Sequence, residues 1–238
     1  MISIECGDNM KNIDKEILRR NLDEVLWGIE RARLEVSDHH IVKLVVVAKY
    51  TTTENISTLY ELGQRAYGEN KVQQLRERVA ELEELPLEWH MIGSLQKNKI
   101  NNLIDANPTL MHSLDSLELA RELDSKLAQK GKTMNCLLQI NSADEESKSG
   151  VKCSEAIEIY ETIQSECPNI KLKGVMSIGA HSDDESIIEQ SFIATNDIYT
   201  QLESRGATIC SMGMSSDYEL AIRCGSNLVR IGSSIFRA

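Results

Sequence analysis

The sequence predicts a (β/α)8 barrel of the TIM type with an extra N-terminal helix, as one domain over residues 1–238: a helical extension over 1–40 and the barrel over 41–238. Three observations lead there. Short apolar runs alternate with segments of helical period, and strict alternation implies a parallel sheet. The runs are continuous rather than two-periodic, as in Leu44-Val45-Val46-Val47-Ala48, so they are buried on both faces. Eight such units fit a chain of this length. A doubly wound open sheet is the alternative that the same pattern allows.

In order, Ile13, Ile17, Leu18, Leu22, Val25, Leu26 and Ile29 recur at helical steps and predict a helix over 11–36. The first strand follows and ends in Lys49. Thr51-Thr52-Thr53-Glu54 offers N-caps for a helix stopped by Gly63. A strand at Arg65-Ala66-Tyr67 leads into Gly68-Glu69-Asn70 and a helix spaced by Val72, Leu75, Val79 and Leu82. Glu88 to Gly93 reads as the third strand and Ser94 to Ile104 as its helix. Leu110 to Ser113 is the fourth, with Asp115 or Ser116 capping a helix that Gly131 ends. Thr133 to Ile140 is the fifth strand, followed by a polar loop over 142–150 and a helix over 154–165. Leu172 to Ile178, Thr208 to Met212 and Asn227 to Ile231 are the last three strands. Their helices start at Asp183-Asp184-Glu185, at Ser215-Ser216-Asp217 and in a short terminal segment.

Composition excludes several functions. Hydrophobic residues are 41%, charged residues 26% and formal net charge −11, an ordinary globular mixture that disfavours a nucleic-acid or anionic-membrane partner. The start, Met1-Ile2-Ser3-Ile4-Glu5-Cys6, lacks the pattern of a signal peptide, and no apolar run has membrane-spanning length, so the expected compartment is the cytoplasm. Six cysteines without a C-x-x-C pair predict free thiols and no metal site.

On a barrel the C-terminal strand ends share one face. That collects Lys49, Asn70, His90 to Gly93, His112, Asn141, Met176 and Ser177, Met212 to Ser216, and Arg230 to Ser233. A lysine at the edge of an apolar core loses its proton more easily than one in water, and its amine attacks carbonyls. Most lysines in such positions are nonetheless solvated strand ends. Met212-Gly213-Met214-Ser215-Ser216-Asp217 and Arg230-Ile231-Gly232-Ser233-Ser234 are two small-residue turns, each opening a helix, and suit a phosphate. Each alone is an N-cap or a turn, but together, facing a lone lysine, they favour binding. A Schiff-base lysine, a phosphate anchor and an arginine suit pyridoxal 5′-phosphate. A lysine-imine aldolase needs similar parts plus an acid/base group, for which there is no obvious candidate. Gln96-Lys97-Asn98-Lys99 reads as a solvated helix start, His39-His40 as surface, and 142–150 as a loop at the mouth.

The segments Val46-Val47-Ala48-Lys49, Tyr67-Gly68-Glu69-Asn70-Lys71-Val72-Gln73, Trp89 to Lys99, His112 to Asp115, Asn141 through Lys148-Ser149-Gly150-Val151, Gly174 to Ile178, Met212 to Asp217 and Val229-Arg230-Ile231-Gly232 together resemble the pyridoxal phosphate homeostasis family. Its members are similar to the barrel domain of bacterial alanine racemase. The resemblance implies the cofactor held as an imine on Lys49 and its phosphate on Ser215, Ser216, Gly232 and Ser233. It implies Arg230 facing the ring nitrogen, and Asn70, His90 and Met212 lining the pocket. Ala48 stands where a serine is more common, with little consequence expected. The racemase carries a second domain with a catalytic tyrosine, which this sequence does not show. The family is regarded as carrying or regulating pyridoxal phosphate without robust catalysis, so no catalytic residue is expected. A weak amino-acid racemase is the alternative. The expected partners are the cofactor and pyridoxal-phosphate-dependent apoenzymes, with the chain a monomer.

Overall fold

The strand predicted first and the strand predicted last lie side by side. The structure, a computed structural model, describes residues 11–237 other than 144, 146 and 147. In it β1 (Lys43–Val47) pairs in parallel with β9 (Leu228–Ile231), placing Val45 beside Arg230. Between them in sequence run β2 (Ala66–Glu69), β3 (Glu88–Met91), β4 (Leu110–Leu114), β5 (Met134–Asn141), β6 (Val151–Lys152), β7 (Ile170–Ser177) and β8 (Ile209–Ser211). The order β4-β3-β2-β1-β9-β8-β7-β5, with β4 also paired to β5, closes an eight-stranded parallel barrel. The predicted barrel is present and the open-sheet alternative is not. The extra strand β6 extends the end of β5 at Ile140 and Asn141. Its two residues are too few to carry a pattern in the sequence.

Helices α1 (Lys15–Val36), α2 (Thr53–Glu61), α3 (Val72–Glu81), α4 (Ile100–Ala106), α5 (Leu117–Gln129), α6 (Ala156–Glu166), α7 (Glu185–Glu203) and α8 (Tyr218–Arg223) surround the barrel. Asp14, Thr52, Ser116 and Asp184 cap α1, α2, α5 and α7, each side chain accepting from a backbone N–H of the first turn. Two expected helices differ. Ser94 to Gln96 is not helical; a 3-10 turn at Lys97–Lys99 precedes α4. After β9 the chain makes a turn, in which the N–H groups of Ile235 and Phe236 both donate to the Gly232 carbonyl. Among the described residues no helix is long and apolar enough to cross a membrane. Cys136, Cys167, Cys210 and Cys224 are free thiols, and Cys6 lies outside the described residues.

The apolar residues form two layers. Val45, Ala66, Leu110, Leu137, Met176 and Leu228 point inward and fill the barrel. The opposite strand faces, such as Val46, Ala48, Tyr67 and Val229, pack against the helices in the larger cluster. This two-sided burial is why the strands read as unbroken apolar runs.

Helix α1 is more than an appendage. Its Arg31 pairs with Glu219 of α8 at 2.8 Å. Its buried Asn21 donates from Nδ2 to the carbonyls of Ile235 (3.0 Å) and Arg237 (2.8 Å). Both segments that follow the predicted phosphate turns are therefore held from outside by one helix.

Gly174 sets the approach of β7 to β8. Its φ is +144°, and a Cβ there would stand 1.9 Å from the Ile209 carbonyl oxygen. Neither strand can yield without losing its ladder. Gly174→Ala is expected to lower the unfolding free energy by about 3 kcal/mol or more, read as a lower midpoint in urea; an unchanged midpoint would show that β7 adapts.

Candidate functional site

Lys49 lies two residues beyond β1, continuing the inward parity of Val45 and Val47 while Val46 and Ala48 face the helices. Its ammonium sits 4.9 Å from the centre of the exposed Tyr50 ring. The turn is fixed from several sides. The Thr51 N–H donates to the Ala48 carbonyl, the Ala48 N–H to the Gly68 carbonyl, and Gln74 of α3 donates to the Lys49 carbonyl at 3.1 Å. Arg78, also on α3, donates to the Thr51 carbonyl.

Arg78 also faces Glu69, at 3.8 Å between Nε and Oε1. Glu69 is wholly buried on the helix side of β2, and neither carboxylate oxygen has a hydrogen-bond partner among the described residues. Burial pushes its carboxyl up to about 7, opposed by the charges of Arg78 and Lys49. A desolvated acid thus underlies the lysine turn.

Opposite, the segments after β8 and β9 meet. Gly213 has φ +89° and starts a turn in which the Met214 N–H donates to Asp217 Oδ1 at 2.6 Å. The Gly232 N–H donates to Ser215 Oγ at 3.2 Å, tying one segment to the other. A Cβ on Gly232 would lie 3.0 Å from the Val47 carbonyl oxygen, so the β9 segment sits directly against the end of β1. The backbone N–H groups of Ser215, Ser216, Ser233 and Ser234 donate to no acceptor among the described residues. Four unengaged N–H groups on two touching turns form a cup for an anion such as phosphate.

Arg230 is inside the barrel beneath this cup and 5% exposed. Nη1 donates to the carbonyl (2.9 Å) and to Oγ (2.6 Å) of Ser211, and Nη2 donates to the Ser177 carbonyl (2.9 Å). Among the described residues no carboxylate is within ion-pair distance of it, and burial lowers its guanidinium to about 10. Ser211 Oγ also lies 3.1 Å from His112 Nδ1, and His112 Nε2 lies 2.8 Å from His90 Nδ1. Burial holds His90 down at about 4 and His112 well below the ordinary range. Both imidazoles are neutral at physiological pH.

The structure therefore brings Lys49, Ser215, Ser216, Arg230, Gly232 and Ser233 together across three adjacent strands. Asn70 stands beside Lys49 when the β1–β2 register, Val47 against Gly68, is carried on by two residues. His90 is not at the mouth. It is 2% exposed inside the barrel and meets Arg230 only through His112 and Ser211. The expectation for the Met212 side chain is corrected. It is fully buried in the layer between barrel and helices, because β8 turns Ser211 inward and its neighbour outward. Ser211 was missed for the same reason. Two-residue alternation counted back from Met212 would have found it. The far side of the mouth holds a cavity of about 210 Å³ lined by Ser94, Gln139, Asn141, Lys148 and Ile178. The 142–150 loop at its edge lies partly outside the described residues.

Comparison with known proteins identifies the family and the fold. The family described as alanine racemase, N-terminal domain, matches residues 28–238. A pyridoxal phosphate homeostasis protein of Helicobacter pylori is 54% identical over 219 residues, which span 92% of this chain and 98% of that protein. PipY of Synechococcus elongatus PCC7942, solved with PLP bound, superposes with a TM-score of 0.78 at 27% identity, over 92% of this chain and 100% of PipY. An alanine racemase of Clostridium difficile 630 superposes with a TM-score of 0.74 over 94% of this chain and 57% of the racemase. At 16% identity that likeness is one of fold alone.

The buried acid makes a pH prediction. Folded protein keeps the Glu69 proton up to about pH 7, whereas the unfolded chain releases it near the ordinary value of 4.5. Between these values the unfolded state binds fewer protons, so stability falls as pH rises. Glu69→Gln is expected to flatten that segment of a urea-stability profile taken from pH 5 to 8. An equal slope in the variant would place the dependence elsewhere.

Proposed function

The chain belongs to the pyridoxal phosphate homeostasis proteins, within the alanine racemase N-terminal domain family, and from that premise we propose that it binds pyridoxal 5′-phosphate, holds it as a Schiff base on Lys49, and serves intracellular homeostasis of that cofactor without robust catalysis of its own. One observation carries the reading. An inward-parity lysine stands on the strand adjacent to a cup of four unengaged N–H groups, with a buried guanidinium beneath. When bound, the cofactor supplies an aldehyde for an amine and an electron-withdrawing ring.

Each residue then has a task. Ser215, Ser216, Gly232 and Ser233 hold the phosphate. Arg230 donates to the ring nitrogen, Asn70 flanks the lysine, and Lys49 anchors the aldehyde carbon. Arg230 can only donate, so it leaves that nitrogen unprotonated and weakens the ring as an electron sink. This supports storage over turnover, as do the names of the relatives. The reading has a cytoplasmic monomer passing its cofactor to pyridoxal-phosphate-dependent apoenzymes, with no membrane or nucleic-acid partner. The match of residues 28–238 to the alanine racemase N-terminal domain family favours a second reading, a weak amino-acid racemase.

Purified protein mixed with pyridoxal phosphate should show a visible imine absorbance band, and borohydride should fix the cofactor on the peptide containing Lys49. Lys49→Ala should lose both signals; a persisting band would remove Lys49 from the site. Chiral chromatography of L-alanine incubated with the loaded protein should show no sustained D-alanine. Lysine-dependent turnover would establish the racemase reading instead.

A further inference from the structure

Arg230 is fixed by a chain of neutral groups that crosses the inside of the barrel, from β3 through β4 and β8 to β9. A guanidinium has five N–H donors and no acceptor. Three of those donors are engaged, on the Ser211 carbonyl, Ser211 Oγ and the Ser177 carbonyl. Ser211 Oγ therefore accepts a hydrogen bond from Arg230, and its own O–H is left to find another acceptor. His112 Nδ1, at 3.1 Å, is its other hydrogen-bond partner among the described residues.

That assignment propagates. His112 accepts at Nδ1, so as a neutral ring it carries its proton on Nε2, 2.8 Å from His90 Nδ1. His90 then accepts at Nδ1 and carries its own proton on Nε2. This last nitrogen is buried without a hydrogen-bond partner among the described residues, with Glu88 Oε2 at 3.9 Å. This sense leaves only the His90 Nε2 proton without a short bond, and that proton faces the Glu88 carboxylate. The reverse sense would turn a bare Nε2 toward the carboxylate and leave the Ser211 proton buried with nothing to accept it. The sense is thus set at both ends, by a guanidinium that can only donate and a carboxylate that can only accept. For the same reason the chain is no proton wire, because its terminal guanidinium does not release a proton.

We infer that His112, oriented by His90 and acting through Ser211, is a positioning residue that aims the remaining donors of Arg230 at the barrel mouth, so that the site selects a ligand whose ring presents an unprotonated nitrogen. His112 and Ser211 are both fully buried and touch nothing at the mouth. Their effect reaches the ligand only by holding the guanidinium. Arg230 has no carboxylate to fix its plane, so a directed set of neutral acceptors takes that role. The inference rests on the reading that pyridoxal phosphate binds above Arg230.

The test compares binding of pyridoxal phosphate with binding of its 1-deaza analogue, in which a carbon replaces the ring nitrogen. Both carry the same aldehyde and phosphate, so the ratio of their dissociation constants reports the nitrogen contact alone. Wild-type protein should prefer pyridoxal phosphate by about 10-fold or more, the range of a hydrogen bond from a charged donor. His112→Leu should bring the ratio near one. His112→Gln, which can accept from Ser211 and donate to His90, should restore it. Where His112→Leu does not fold, Ser211→Ala removes the same link with little change in volume and should collapse the ratio likewise. Arg230→Gln separates the two levels. If it collapses the ratio while His112→Leu and Ser211→Ala leave it intact, the positioning chain is refuted and the cofactor reading stands. If wild type shows no preference, or Arg230→Gln leaves the ratio unchanged, the placement of the ring over Arg230 is itself wrong.

Discussion

A full positive charge sits inside this barrel with no carboxylate against it. Burying an unpaired ion is among the costliest arrangements in a protein, and hydrogen bonds to neutral acceptors offset only part of that cost. The geometry of the upper barrel follows from meeting it. β7 must end with the Ser177 carbonyl facing inward, and β8 must turn both the carbonyl and hydroxyl of Ser211 toward Arg230. The rest of the interior cluster, from Val45 to Leu228, is apolar. The polar groups thus form one connected chain through it, ending at Arg230. A site left positive in this way suits a ligand that brings negative charge and a lone pair.

The two halves of the site are held by different outer helices. The lysine turn rests on α3, through Gln74 and Arg78, with the desolvated Glu69 beneath. The cup and the turn after it rest on α1, through Arg31 and Asn21. The halves meet along the β1–β9 pairing, and at the mouth the β9 segment touches the end of β1 at Val47. Side chains that never reach the mouth therefore set the distance between amine and anion cup.

Much of this was legible in the sequence because it is local. Continuous apolar runs, caps such as Thr52 and Ser116, and stops such as Gly63 and Gly131 are written within a few neighbouring residues. Lys49 and the two small-residue turns were legible as strand ends for the same reason. Closure was legible only through the count of eight units, since the pairing of Lys43–Val47 with Leu228–Ile231 leaves no mark on either segment. Side-chain parity was lost where the strand was short. β8 has three residues, and reading it as five made Met212 as good a candidate as Ser211. The facing of Glu69 and Arg78 was not legible, because a buried acid beside an arginine leaves no pattern that separates it from an exposed pair.

The bonds from Asn21 to the carbonyls of Ile235 and Arg237 join positions 214 and 216 residues apart. α1 and β1 precede β9 and its turn in the chain, so neither can complete its contacts until those later segments are in place. The ligand cup thus depends on long-range closure, the slow kind of contact to form. A molecule that binds the assembled cup stabilises the closed barrel over the open chain by mass action. Ligand concentration and closure of the barrel are thereby linked, although the ligand touches neither α1 nor its bonds.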